Sequence, residues 1–119
     1  MIDDVRRRHR RVRVDCELEW EIEAQGLSGR GTLLDVSRLG ACFRLDGMFA
    51  GQSATIFTLH SPQLSDLPRH GRLRWYRRMQ GRAPVFVCGV LFLEEGVNQV
   101  DWITWIQQRT LPDRGSPAS

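Results

Sequence analysis

Apolar and polar residues alternate without exception from Val12 to Ile22. A period of two over this length predicts one long β-strand with a buried face and a solvated face. The polar positions hold a series of carboxylates. Because these carboxylates share the solvent side of one strand, we interpret them as a hydrated charge ladder and not as a catalytic pair. They are Glu17, Glu19 and Glu21, with Glu23 just beyond.

Shorter apolar segments follow, separated by glycine, aspartate and proline. The glycine-rich stretch 26–31 is typical of a turn. A proline within 61–67 indicates a loop. On the fifth predicted strand we expect Leu73 and Trp75 to share a face, since they are two positions apart. The remaining predicted strands cover 32–36, 41–45, 53–59, 71–77 and 84–93.

The pattern changes after Gly96 to the spacing of an amphipathic helix of about three turns. Trp102 and Trp105 form one apolar stripe of this helix, which we expect to plug the sheet rather than to stack on a ligand. Six antiparallel strands and one C-terminal α-helix predict a mainly β protein, a small six-stranded antiparallel β-barrel. We expect a basic arm over 1–11, the barrel with its helix over 12–109, and a disordered tail over 110–119.

Composition agrees with one globular domain: 119 residues, 41% hydrophobic and 26% charged. The net charge is only +3, but the positive residues are concentrated in two segments. Six arginines and no acid occur between Val5 and Val14, and six more between Arg69 and Arg82, while lysine is absent. Coding bias alone would explain the choice of arginine. Two segments without acids nevertheless suggest an anionic partner.

Motifs of catalysis and metal binding are missing from the sequence. It contains no phosphate-binding Gly-x-x-x-x-Gly-Lys loop, no His-Glu-x-x-His pair and no Gly-x-Ser-x-Gly elbow. The histidines (His9, His60 and His70) are not at metal-ligand spacing. Three cysteines in apolar segments are best read as buried, reduced thiols. We therefore expect a cytoplasmic protein that is not an enzyme and has no metal and no cofactor.

Two elements remain that could bind an anionic ligand. The first is the arm 6–11, which leads directly into the first strand; alternatively it is a disordered tail or a nucleic-acid-binding arm. The second is the corner 35–40, where Asp35 could accept from guanine N1–H and N2–H₂ and Ser37 could donate to a phosphate. Gly40, lacking a Cβ, would let the ligand approach the backbone. Alternatively, Asp and Ser simply cap the turn and Gly supplies a positive φ.

Together these elements resemble the PilZ domain. The arm gives Arg-x-x-x-Arg at Arg7 and Arg11, and the corner gives Asp-x-Ser-x-x-Gly about 24 residues later. The resemblance continues through Gly71-Arg72-Leu73-Arg74-Trp75, Cys88-Gly89-Val90-Leu91-Phe92 and the C-terminal helix. It therefore covers roughly residues 6 to 109.

The resemblance implies that the chain binds the second messenger cyclic di-GMP. An arginine at position 6, just before the motif, is similar to members that bind two stacked ligand molecules, so the resemblance implies either one or two molecules per chain. The chain would act as an adaptor that changes its arm on binding and regulates an unidentified effector protein. A nucleic-acid-binding barrel is the less favoured alternative, as is a PilZ-like interaction module without nucleotide. The implied ligand residues are Arg6, Arg7, Arg8, Arg11, Asp35, Ser37, Gly40 and Trp75.

Overall fold

The computed structural model describes residues 11–49, 55–65 and 67–93 together with 102, 104 and 108. Six strands form a closed barrel in the order β1-β2-β3-β6-β5-β4, and every neighbouring pair is antiparallel. The predicted barrel is thus confirmed. The strands are β1 (Val12–Ile22), β2 (Leu27–Val36), β3 (Gly40–Asp46), β4 (Ile56–His60), β5 (Arg69–Arg78) and β6 (Val85–Phe92).

The alternating residues of β1 have one buried face and one exposed face, as predicted. Its apolar side chains point into the barrel and are buried from Cys16 onward, whereas its glutamates are exposed. Inside, aromatic rings meet edge to face around Phe57, whose ring centroid is 5.2 Å from that of Phe43 and 6.0 Å from that of Trp20. These contacts fill the interior with apolar side chains, which leaves the outer surface as the place to look for a binding site.

The second strand begins earlier than the glycine pattern predicts. A short 3₁₀ turn at Glu23–Gln25 and Gly26, with a φ of 66°, reverse the chain, and β2 starts at Leu27. Gly29 and Gly31 are strand residues rather than turn residues. A Cβ on Gly29 would lie 2.9 Å from the Trp20 ring, and one on Gly31 would overlap the carbonyl oxygen of Arg44. Glycine is therefore required at both positions because β2 lies very close to the Trp20 ring and to the backbone of β3.

The boundaries of the other elements differ little from prediction. β4 is described from Ile56, whereas residues 50–54, including the predicted start at 53, lie outside the described residues. The proline-containing segment after β4 is a loop, as predicted. The described part of the chain contains no helix long and apolar enough to cross a membrane.

Trp102 closes the wall of the barrel near β5 and β6. After Leu93, the described residues Trp102, Thr104 and Gln108 are helical. Trp102 is fully buried, with its ring centroid 5.5 Å from that of Phe92, so its predicted role as a plug is confirmed. The buried guanidinium of Arg69 lies 3.5 Å from the centre of the same Phe92 ring, a cation–π contact. Trp105, the arm up to residue 10 and the tail lie outside the described residues, so the domain boundaries remain predictions.

Candidate ligand-binding site

One row of paired residues crosses five strands on the outer face of the barrel. Strand register places Arg13 beside Asp35, Asp35 beside Cys42, Cys42 beside Gly89, and Gly89 beside Trp75. We call these five residues the ligand row. It brings Asp35 of the predicted corner and Trp75 of the fifth strand onto a single surface, although they are 40 positions apart in the sequence.

Three strands change register next to this row. The irregularities lie between Arg13 and Cys16 in β1, between Leu33 and Asp35 in β2, and between Leu73 and Trp75 in β5. Such bulges rotate the side chains that follow them. The prediction that Leu73 and Trp75 share a face is therefore wrong. Leu73 is buried, whereas Trp75 is 45% exposed on the outside.

The Ser37 hydroxyl organises the corner between β2 and β3. It accepts hydrogen bonds from the backbone N–H groups of Leu39 (3.2 Å) and Gly40 (3.3 Å). Its own proton faces the Gly40 carbonyl oxygen across 3.5 Å, a long contact. A hydroxyl has one donor and two acceptor sites. Ser37 therefore caps the turn through its lone pairs and keeps a weakly engaged proton.

Gly40 meets a steric demand that the sequence analysis did not consider. It is absent from the residues with positive φ, and a Cβ at this position would overlap the carbonyl oxygen of Val90 on the neighbouring strand β6. The missing Cβ thus lets β3 approach β6, while the predicted approach of a ligand to Gly40 stays a prediction. The corner consequently sits tightly against the strand that carries Gly89.

The end of the arm meets this corner directly. Arg11 Nη1 lies 2.9 Å from Asp35 Oδ1, and the two side chains are 65% and 24% exposed. Asp35 retains acceptor capacity, since an ionised carboxylate offers about four lone-pair sites. Arg6, Arg7 and Arg8 lie outside the described residues, so their predicted contacts remain predictions.

Trp75 rests on the backbone of β6. A Cβ added to Gly89 would overlap Nε1 and Cε2 of the indole, so only glycine lets the ring lie against the strand. The opposite side of the ring is accessible, as the 45% exposure shows. A flat aromatic surface of this kind is suited to stack a nucleobase.

A cleft of about 310 Å³ joins these features. The sequence analysis did not name six of its lining residues as ligand contacts, among them Arg74 and Gly89. Arg74 is the extra residue at the β5 bulge; in the sequence it stood out only by its place in the acid-free segment 69–82 and in the PilZ-like segment 71–75. The cleft is lined by Arg11, Ser37, Gly40, Arg74, Trp75 and Gly89, among others.

Cys42 forms part of the floor of this surface and is almost fully buried. Burial raises the pKa of its thiol, and the nearby Asp35 carboxylate raises it further, while the guanidinium groups of Arg11 and Arg77 oppose the shift. The thiol is therefore protonated at neutral pH and uncharged. All three cysteines are free and buried, as predicted.

Family comparison agrees with this geometry. The family model described as PilZ domain matches residues 5–106, nearly the whole chain. The chain belongs to the PilZ domain family. Because PilZ domains are receptors and not enzymes, the prediction that the chain is not an enzyme is also confirmed. No curated protein matches significantly.

Solved structures with the same fold share little sequence with this PilZ domain. MotI of Bacillus subtilis, an inhibitor of motility, has a TM-score of 0.68 at 15% identity over 92% of this chain and 53% of its own. The MrkH–c-di-GMP complex of K. pneumonia has a TM-score of 0.70 at 11% identity over 93% of this chain. This chain spans about half the length of both, 53% and 55%. The PilZ domain of YcgR from Escherichia coli, solved with c-di-GMP, is covered over 98% of its length, with a TM-score of 0.63 at 14% identity.

Proposed function

We propose that this PilZ domain is a receptor for cyclic di-GMP and that the outer cleft is its binding site. The observation that carries the proposal is the Arg11–Asp35 ion pair, which joins the end of the arm to the Asp-x-Ser-x-x-Gly corner at one cleft. Support also comes from MrkH and the YcgR PilZ domain, two proteins of the same fold that were solved with c-di-GMP.

The chemistry of the cleft matches a ligand with two guanines and two phosphates. Ser37 can turn its weakly engaged proton toward a phosphate oxygen without losing the two N–H groups it accepts from. Asp35 can accept from the N1–H and N2–H₂ edge of a guanine. Trp75 offers the exposed side of its ring to a base. Arg11 adds a positive charge beside Asp35.

The arm would lie over the outer cleft and complete the binding site. Arg7 belongs to the same Arg-x-x-x-Arg motif as Arg11, and both would clamp phosphate and guanine. Arg8 would join the clamp. Arg6 would determine whether one or two stacked molecules bind, so the stoichiometry is part of the proposal. Six arginines with no acid between Val5 and Val14 repel one another, and a ligand carrying two phosphates would neutralise part of that charge.

We infer an adaptor role from this arrangement. Ligand binding would fold the arm onto the barrel, and the altered surface would bind or release an effector protein, an order–disorder switch. Three free, buried thiols suit a reducing compartment, so the cytoplasm is the proposed site of action.

Calorimetric titration with cyclic di-GMP tests the receptor proposal. We expect saturable binding to the wild type and an affinity at least about 10-fold lower for Arg11→Ala, since charge-assisted hydrogen bonds are lost. Arg30→Ala is the matched control, because Arg30 is an exposed arginine on β2 that lines a different cleft. Binding of oligonucleotides in place of cyclic di-GMP, with a steep salt dependence, would favour the nucleic-acid alternative. If the protein binds neither cyclic di-GMP nor oligonucleotides, the remaining alternative is a PilZ-like interaction module without nucleotide.

Amide exchange over residues 5–12, with and without ligand, tests the switch separately. We expect slower exchange with saturating cyclic di-GMP. Equal rates would reject the switch and leave the receptor proposal intact.

A further inference from the structure

A second row of residues runs beside the ligand row on the same outer face. Register pairs Glu17 with Thr32, Thr32 with Arg44, Arg44 with Val87, and Val87 with Arg77. Neighbouring positions on one face of a strand are about 7 Å apart. A long side chain from the second row can therefore reach the ligand row.

The two arginines of this row differ in their contacts. Arg44 is held by two neighbours, with Nη2 3.3 Å from Thr32 Oγ1 and Nε 3.4 Å from Asp46 Oδ1. The Arg77 side chain is exposed and forms no hydrogen bond or ion pair within the described ranges. Its guanidinium is therefore the one in this row that is available to a ligand.

Arg77 lies next to the ligand row, since its strand partner Val87 is two positions from Gly89. It follows Trp75 by two positions on the same strand after the bulge, so both side chains lie on the outer face. Its charge also opposes the rise in the pKa of the Cys42 thiol that burial causes. A base stacked on Trp75 would have its rim close to Arg77.

We propose that Arg77 determines base specificity by binding the O6 and N7 edge of the guanine that stacks on Trp75. This inference rests on the proposed function. A guanidinium fork matches the two acceptors of that edge, whereas adenine presents an amino donor in place of O6. The Asp35 carboxylate would recognise a guanine by its opposite N1–H and N2–H₂ edge.

The test combines a change in the protein with a change in the ligand. Cyclic di-GMP is compared with its analogue in which 7-deazaguanine replaces both guanines, because the analogue lacks only the N7 acceptors. We expect Arg77→Ala to lower the affinity for cyclic di-GMP about 10-fold or more. The wild type should bind the analogue more weakly than cyclic di-GMP, and Arg77→Ala should lose most of that difference.

Arg78→Ala is the matched control, since it removes the same charge from the next position, which alternation places on the other face of β5. It should lower the affinity less than 3-fold, roughly the screened effect of one exposed charge. Arg77→Lys retains the charge but not the fork. Like Arg77→Ala, it should therefore lose most of the difference in affinity between cyclic di-GMP and the analogue. If Arg77→Ala lowers the affinity for cyclic di-GMP and for the analogue equally, Arg77 binds a phosphate and does not read the base. Equal losses of affinity from Arg77→Ala and Arg78→Ala would also overturn the proposal. If the wild type binds neither ligand, the receptor proposal fails and this inference fails with it.

Discussion

Gly89→Ala should weaken ligand binding by displacing Trp75, although the substitution adds only a methyl group. The new Cβ would overlap the indole Nε1 and Cε2, so the ring must leave its place on β6. A fully enclosed tryptophan buries roughly 150–250 Å². Since Trp75 is 45% exposed, about 100 Å² of it is covered, worth about 2.5 kcal/mol at 25 cal/mol per Å².

That figure is an upper limit for the loss of stability, because a displaced ring finds other contacts. We expect the free energy of unfolding to fall by about 1–2 kcal/mol. The loss of a stacking surface should cost a further 1–3 kcal/mol in binding, or about 5- to 150-fold in affinity. Denaturant unfolding measures the first quantity and calorimetry with cyclic di-GMP the second.

A double-mutant cycle decides whether the effect acts through the ring. In a Trp75→Ala background the added Cβ has no indole to displace, so Gly89→Ala should change the affinity little. Gly71→Ala is the control for a strand glycine away from the ligand row, since its Cβ would lie 2.7 Å from Val90 Cγ2 in the core. Equal losses of affinity from Gly89→Ala with and without Trp75 would refute the reasoning.

Three further changes separate stability from binding. Arg11→Ala should lower the free energy of unfolding by less than about 1 kcal/mol in thermal melts, because its ion pair with Asp35 is largely exposed, although we expect a large loss of affinity by calorimetry. Ser37→Ala should lower it by about 1 kcal/mol or more, since two backbone N–H groups lose their acceptor; unchanged melting would contradict the capping role. Burial raises the pKa of the Cys88 thiol to about 12 from 9.0. The unfolded chain therefore releases this proton first, and stability should be intact below about pH 9 and decline as the pH rises toward 12. Cys88→Ala should show a shallower decline in unfolding titrations across that range.

The sequence predicts those parts of the barrel in which each strand keeps a strict period of two. β1 is the best case, because its alternation continues over its whole length and the observed bounds equal the predicted ones. The start of β2 could not be predicted in this way. Gly29 and Gly31 look like turn residues, and their contacts with Trp20 and β3 exist only after the strands have paired.

The candidate site was predicted in part. The Arg-x-x-x-Arg and Asp-x-Ser-x-x-Gly motifs indicated that Arg11 and Asp35 belong together, and the ion pair between them agrees. Arg74, Gly89 and Arg77 were not predicted as site residues, since each acquires its place from strand register. Register across five strands depends on pairings between distant segments, which a local pattern does not contain.

The bulges explain why the outer face of this barrel can form a site at all. Without them, strict alternation would continue from the buried Leu73 and turn Trp75 into the core. The β1 irregularity includes Asp15 at a φ of 74°, a conformation that costs free energy for a residue with a Cβ. Irregularities on three strands meet at one row, whereas β3 and β6 pass through it in regular register. Bulges are commonly found beside functional sites, where they redirect side chains. Their convergence on the ligand row therefore favours a binding surface on this face of the barrel.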